Sequence, residues 1–127
     1  MAMKFQREPT SEFAITAYTQ TSVSVGGVEY THSICASHKG APTSWPVRAF
    51  ADITADAVAQ AANVDAEIVI VGTGRTLRFP KPEVMRSLIE ARIGYEVMDT
   101  PGACRTYNVL LSEGRQVAAL LLIESKG

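Results

Sequence analysis

The sequence predicts an α/β fold, with a single layered domain whose mixed sheet combines an N-terminal β-hairpin with a following β-α-β-α-β unit. Three observations lead to this prediction. Two β-prone runs flank a glycine pair, strand and helix patterns alternate in the second half, and the chain ends in a long apolar run. With 127 residues, 46% of them hydrophobic, the chain has the size and composition of one domain, 1–127, with its own core.

The first half is expected to be mainly β. Residues 1–12 are polar and predict a loose N-terminal arm, whereas "FAITAYT" (13–19) alternates like a strand. Gly26-Gly27 lies between "VSV" and "VEY", which is a hairpin signal. Residues 39–46 are expected to form a loop, and Thr54 is the predicted N-cap of a short alanine-rich helix.

The second half alternates between strands and helices. Thr100 is the predicted N-cap of the second of these helices, and Gly114 is expected to end it. The last apolar run predicts a strand that is covered on both faces and therefore lies in the centre of the sheet. The predicted elements are strand 67–72, helix 81–93 with Pro82 in its first turn, strand 94–100, helix 101–113 and strand 116–124.

Composition excludes several functions. The net charge is −1, so nucleic acid is not the predicted partner, because phosphate binding needs a basic excess. No apolar run is long enough for a membrane span. The first residues, with Glu8 and Glu12, lack the apolar region of a secretion signal, which predicts a cytoplasmic protein. Cys35 and Cys104 are therefore predicted to be free thiols.

Two strand ends predict one candidate pocket. If strands 67–71 and 95–99 are parallel, their carboxyl ends share an edge of the sheet, where ligands of open α/β sheets bind. The N-terminus of the following helix points its free N–H groups at the same edge, which would suit a small anion. The candidate binding residues are Gly72, Thr73, Gly74, Arg75, Asp99, Thr100, Cys104, Arg105 and Asn108.

The same glycine-rich turn has a purely structural interpretation. The "GTG" stretch has Leu77 where a dinucleotide-binding fingerprint needs a third glycine, and no Gly-Lys-Ser/Thr follows as in a phosphate loop. A turn built from glycine needs no ligand to explain it. The sequence therefore predicts no cofactor and no catalytic residue.

Cys104 and the residues after it also allow two interpretations. A cysteine in the first turns of a helix could be a reactive thiolate, but a nucleophile needs a nearby base, and nothing places His32 or His38 close by. A buried, inert Cys104 is favoured. Arg105, Asn108 and Ser112 share the opposite helix face, which predicts a solvated surface, although Asn108 inside a helix hints at a specific hydrogen bond.

Two further sequence features are weaker indications of a functional site. The triplet His32-x-x-Cys35-x-x-His38 resembles a metal motif, but His32 and Cys35 would project to opposite faces of a strand, so no metal is predicted. Trp45 is either a packing residue over the sheet or an exposed anchor for a partner.

Taken together, "GTGRTLRFP", "GYEVMDT", "ACRTYN" and "EGR" resemble a family of uncharacterised prokaryotic proteins that includes mitochondrial complex I assembly factor 3. The resemblance implies a layered α/β fold, a last strand antiparallel to its neighbours, protein binding, no established catalytic activity and no cofactor. None of the family's motif positions is an established active-site residue. These positions are Gly72, Thr73, Gly74, Met98, Asp99, Thr100, Ala103, Arg105, Thr106, Tyr107, Asn108, Glu113, Gly114 and Arg115.

Three functional hypotheses follow. The first is a non-catalytic cytoplasmic protein that assembles or escorts another protein, with a respiratory-complex subunit as one candidate partner. The second is a small-anion-binding enzyme or ligand sensor that uses the pocket at the strand ends. In the third, residues 98–115 are structural: Asp99 and Thr100 cap the helix, and Arg105 pairs with Asp99 or Glu113.

Overall fold

A computed structural model describes residues 12–124 as an α/β fold with two sheets. One sheet is three-stranded and antiparallel; the other is five-stranded and mixed, in the order β5-β4-β8-β6-β7. The strands are β1 (Ile15–Tyr18), β2 (Val23–Val25), β3 (Val28–Tyr30), β4 (Ile34–Ser37), β5 (Gly40–Ser44), β6 (Ile68–Gly72), β7 (Gly94–Met98) and β8 (Val117–Leu121). The helices are α1 (Ala55–Ala59), α2 (Arg86–Glu90) and α3 (Thr100–Ser112), with 3₁₀ turns at Phe50–Asp52, Gln60–Asn63 and Pro82–Met85.

The mixed α/β class and the N-terminal hairpin are confirmed. β2 and β3 pair in antiparallel fashion, with Val25 opposite Val28. The two residues between them, Gly26 and Gly27, have φ angles of 58° and 87°, a conformation that glycine adopts without steric cost. The predicted loose arm lies almost entirely outside the described residues.

β8 lies in the centre of the five-stranded sheet, as its apolar sequence predicts. All of its residues are buried. It runs antiparallel to β4 but parallel to β6, so the antiparallel arrangement implied by the family resemblance is correct for only one neighbour. The reason is the connection: α3 carries the chain back from the end of β7 to the opposite edge, where β8 must start in the direction of β6.

The predicted parallel pair is also confirmed. β6 and β7 are parallel neighbours, in register from Ile68 opposite Gly94 to Gly72 opposite Met98. The helix between them is shorter than predicted and follows a 3₁₀ turn that Pro82 opens. α2 ends at Glu90, and Ala91, which the sequence places within the helix, lies exposed in a turn.

The five-stranded sheet is covered on both faces. α1 and α2 cover one face, and α3 and the three-stranded sheet cover the other. Trp45 is buried, and its indole Nε1 donates to the carbonyl of Ala57 at 2.9 Å, so it packs in the core. Thr54 caps α1 as predicted. Among residues 12–124, no helix has both the length and the apolar character needed to cross a membrane.

Candidate functional site

The carboxyl ends of β6 and β7 meet at one rim of the five-stranded sheet. The backbone N–H of Thr73 donates to the carbonyl of Met98 at 2.8 Å, and the N–H of Thr100 donates to the carbonyl of Gly74 at 2.8 Å. The glycine turn and the start of α3 are therefore direct neighbours, as the sequence predicts.

Thr100 joins three segments at this rim. Its buried hydroxyl donates to the carbonyl of Leu122 at 2.7 Å and accepts the N–H of Gly74 at 2.9 Å. A Cβ at Gly72 would lie only 3.0 Å from Thr100 Oγ1 and 3.1 Å from the Ala103 side chain. Glycine at position 72 thus allows α3 to approach the end of β6 closely.

The predicted cap of α3 is wrong by one residue. Asp99 is the N-cap, and its Oδ1 accepts the N–H of Gly102 at 2.8 Å. Thr100 is the first helical residue because its hydroxyl is already engaged by Gly74 and Leu122. The helix end matches the prediction more closely, since Gly114 follows the C-cap Glu113 with a φ of 78°.

Glu124, which the sequence did not single out, supplies a carboxylate to the rim. Its Oε1 accepts the backbone N–H of Arg75 at 2.8 Å, and its Oε2 accepts Nη2 of Arg78 at 3.0 Å. The Arg75 N–H, followed by the Arg78 guanidinium, lowers the pKa of Glu124 against the opposing effect of burial. The only sequence signal was a charged residue directly after the central apolar strand.

The backbone N–H groups predicted to hold an anion are therefore engaged within the chain. Gly74 N–H binds Thr100, Arg75 N–H binds Glu124, and Gly102 N–H binds Asp99. Gly74 has a φ of 95°, which glycine adopts without steric cost, and a side chain there would require the Glu124 carboxylate to move. The negative charge beside the glycine turn is provided by the protein itself.

Beyond the turn, an extended segment presents two apolar side chains to solvent. Leu77 is 50% exposed and Phe79 is 70% exposed, and Arg75 and Lys81 on either side are exposed as well. We call Arg75, Leu77, Phe79 and Lys81 the exposed row. Arg78 is directed inward, where its guanidinium lies 5.0 Å from the ring centre of Phe50 and bonds Glu124.

A cavity of about 320 Å³ lies beside the rim, between the turn after β1 and the start of α3. Three predicted site residues line it, namely Gly74, Arg75 and Thr100. Gly72, Thr73 and Asp99 belong to the rim but not to the lining. Arg105 is linked to the cavity indirectly, because its Nη1 donates at 2.8 Å to the hydroxyl of Tyr18, a lining residue.

Cys104 is buried and inert, as the sequence favours. It is 1% exposed, and burial raises its pKa to about 12 although Arg105 opposes the shift. Cys35 is also buried, with a pKa raised to about 11. Both thiols are unpaired. Neither forms an appreciable thiolate near neutral pH.

The helix face predicted to be solvated is only partly so, because Arg105 and Ser112 are exposed but Asn108 is half-buried. Its Oδ1 accepts the N–H of Ile15 at 2.8 Å and its Nδ2 donates to the carbonyl of Ile15 at 2.7 Å. The hint of a specific hydrogen bond is correct, and the bond joins α3 to β1. Arg105 contacts Tyr18, and within residues 12–124 it forms no ion pair with Asp99 or Glu113.

The His32, Cys35 and His38 side chains have separate environments. His32 Nδ1 lies 3.0 Å from the carbonyl of Ser33, and His38 Nε2 lies 3.4 Å from that of Asp65, while Cys35 is buried. In the part of the chain that the structure describes, no group of three or more His, Cys, Asp or Glu residues could hold a metal ion.

Comparison with known proteins confirms the family resemblance. A family described as "Protein of unknown function (DUF498/DUF598)" matches residues 15–122. The Bos taurus protein NADH dehydrogenase [ubiquinone] 1 alpha subcomplex assembly factor 3 is 34% identical over 119 residues, which cover 92% of this chain. The chain spans only 64% of the length of that relative.

Solved bacterial structures share the fold. A crystal structure from Bordetella parapertussis is 42% identical with a TM-score of 0.83, covering 87% of this chain and 95% of the other. A solution structure of a Mth938-like domain from Bordetella pertussis is 35% identical, also with a TM-score of 0.83, covering 98% and 95%. The family match over residues 15–122 and these similarities lead to one conclusion: the chain belongs to the DUF498/DUF598 family, proteins of unknown function with the Mth938-like fold.

Proposed function

We propose that the protein is a non-catalytic cytoplasmic factor that binds another protein and assists its assembly. The Bos taurus relative is named as an assembly factor for NADH dehydrogenase, which makes a respiratory-complex subunit the first partner to test. Within this chain, the exposed row is the structural feature that supports this proposal.

The exposed row has the properties of a protein-binding surface. Leu77 and Phe79 are two residues apart in the chain and are 50% and 70% exposed, and aromatic side chains are enriched among the residues that dominate binding energy. Burying both against a partner would remove apolar area from water, a gain of about 25 cal/mol per Å². This exposure is the observation that carries the proposal.

The backbone under the exposed row is held in place before any partner arrives. Thr73 Oγ1 accepts the N–H of Arg78 at 3.1 Å and donates to the carbonyl of Thr76 at 2.7 Å. Arg78 Nη2 also donates to the carbonyl of Thr73 at 3.2 Å. Such preorganisation reduces the ordering cost of binding.

The titratable groups support a non-catalytic role. Burial raises the pKa values of Cys35 and Cys104, and also that of Tyr107, whose hydroxyl donates to the carbonyl of Phe13. None of these groups is activated as a nucleophile or base. The alternative, an anion-binding enzyme or ligand sensor at the rim, stays a prediction, and the engagement of backbone N–H groups by Glu124 and Asp99 weighs against an anion held by those N–H groups.

The proposal is tested by site-specific photo-crosslinking in the cells that make the protein. A benzophenone amino acid replaces Phe79 in one variant and Val28 in another; Val28 is 56% exposed on β3 and serves as the matched control. We expect a discrete protein adduct from position 79, identifiable by mass spectrometry, and none from position 28. Identical adducts from both positions, or none from position 79, would contradict the proposal.

A further inference from the structure

We propose that the cavity beside the rim binds a small molecule or chain end consisting of a carboxylate attached to an apolar body. Its volume of about 320 Å³ falls in the range of about 300–1,000 Å³ that is usual for small-ligand pockets. The exposed apolar side chains Leu77 and Phe79 are not part of its lining. Arg75 belongs both to the lining and to the exposed row, so Tyr18, which lines the cavity and is not part of the exposed row, distinguishes this inference from the protein-binding surface proposed above.

The apolar lining of the cavity would contact the apolar body of the ligand. Val23, Leu122 and Ile123 contribute to the cavity and are themselves at most 6% exposed, and Pro101 lies beside them. A surface of this kind gains free energy when an alkyl or aryl group displaces water from it.

Arg75 is the residue expected to bind the carboxylate of the ligand. In the described part of the chain its side chain has no ion pair, and its backbone N–H, not its guanidinium, bonds Glu124. The negative charge of Glu124 is already matched by Arg78 at 3.0 Å. The guanidinium of Arg75 is thus available for a bidentate contact with a second carboxylate.

Tyr18 adds a second polar group. Its hydroxyl oxygen accepts a hydrogen bond from Nη1 of Arg105 at 2.8 Å, which leaves the hydroxyl proton free to donate. Arg75 and Glu124 are the charged residues that line the cavity, and two further arginines contact lining residues: Arg78 bonds Glu124, and Arg105 bonds Tyr18. Asp99, nearby, is engaged by the N–H of Gly102. The surplus of positive charge favours an anionic over a cationic ligand.

Two sources could supply this chemistry, a free monocarboxylate or the C-terminal residue of a polypeptide. Octanoate and N-acetyl-leucine are suitable probes for the two sources, and their neutral amides serve as controls. Each probe is titrated into the ¹⁵N-labelled full-length protein. We expect saturable shifts at the amides of Val23, Gly74 and Leu122, with at least tenfold weaker binding of the matched amide. A preference for octanoate indicates a free ligand, and a preference for N-acetyl-leucine indicates a chain end.

Substitutions test the assignment. Arg75→Gln should weaken binding of the preferred carboxylate about tenfold, the loss expected for one charge-assisted contact, and Tyr18→Phe should weaken it severalfold. Arg86→Gln, on the exposed surface of α2 and outside the cavity, should leave the affinity unchanged. The proposal is overturned if the amides bind as tightly as the acids, if Arg75→Gln binds like the wild type, or if no probe shifts these amides.

Discussion

The rim and the exposed row are adjacent in the chain but differ in their contacts. Polar groups of the rim are hydrogen-bonded within the protein, whereas apolar side chains of the exposed row are open to solvent. At the rim, Thr100 is buried and makes two hydrogen bonds to other segments. The side chain of Phe79, later in the same segment, is 70% exposed. The polar groups of the rim have hydrogen-bond partners within the chain, whereas the exposed row leaves apolar surface open to solvent.

This difference predicts that the rim residues stabilise the fold and that the exposed row binds a partner. Residues of the rim hold the turn, α3 and the end of β8 together, so replacing them should lower the free energy of unfolding. The side chains of Leu77 and Phe79 in the exposed row are open to solvent, so replacing them should affect binding alone. Measuring the free energy of unfolding and partner binding for variants of each region tests this division.

The largest loss of stability is expected from Thr100→Val. The substitution keeps the shape but leaves the Gly74 N–H and the Leu122 carbonyl without their partner, which should lower the free energy of unfolding by about 3 kcal/mol. Chemical denaturation measures the change. Thr76→Val, at an exposed position of the same turn, is the control and should change stability by less than about 0.5 kcal/mol. Equal effects of the two substitutions would show that the rim is not the stabilising region.

Asn108→Ala should cost about 2 kcal/mol, because both hydrogen bonds to the backbone of Ile15 are lost. Hydrogen exchange should quicken in the three-stranded sheet more than in β6 or β8, since these bonds attach β1 to α3. Ser112→Ala on the exposed side of α3 should change neither quantity. Unchanged exchange at Ile15 in the Asn108 variant would refute the attachment.

Glu124→Gln should cost about 1 kcal/mol at neutral pH, since the charge-assisted bonds to Arg75 and Arg78 are weakened. The pKa of Glu124 is lowered from its ordinary value of 4.5. Its contribution is therefore present above about pH 4.5 and is lost as the pH falls through the lower folded-state pKa. Stability measured between pH 7 and pH 2 should fall less steeply in this variant than in the wild type. Glu113→Gln, at an exposed position, should follow the wild-type curve.

Local sequence patterns were sufficient for much of this fold. The glycine pair at 26–27 identified the hairpin, and the apolar run before Glu124 identified the central strand, because turn chemistry and burial act on neighbouring residues. The meeting of Thr73 and Thr100 followed from the parallel pairing of β6 and β7.

The expectation of a loop at 39–46 is wrong, because Gly40–Ser44 form β5 and pair with β4. The other missed features depend on contacts between distant parts of the chain. Glu124 bonds Arg75 across 49 residues, and Asn108 bonds Ile15 across 93. Neither pairing leaves a periodic signal, since only the folded topology brings the partners together. The cap of α3 was misplaced for the same reason: the hydroxyl of Thr100 is used by Leu122, 22 residues away, and Asp99 takes its place.

The smallest effect on stability, and the most direct test of the account, belongs to the double variant Leu77→Ala/Phe79→Ala. We predict that its free energy of unfolding lies within about 1 kcal/mol of the wild type, as for exposed positions. In sedimentation of native cell extracts, wild-type protein should migrate with a larger assembly, and the double variant should migrate as the isolated protein does. A stable double variant that still co-migrates with the assembly would contradict the claim that the exposed row binds the partner.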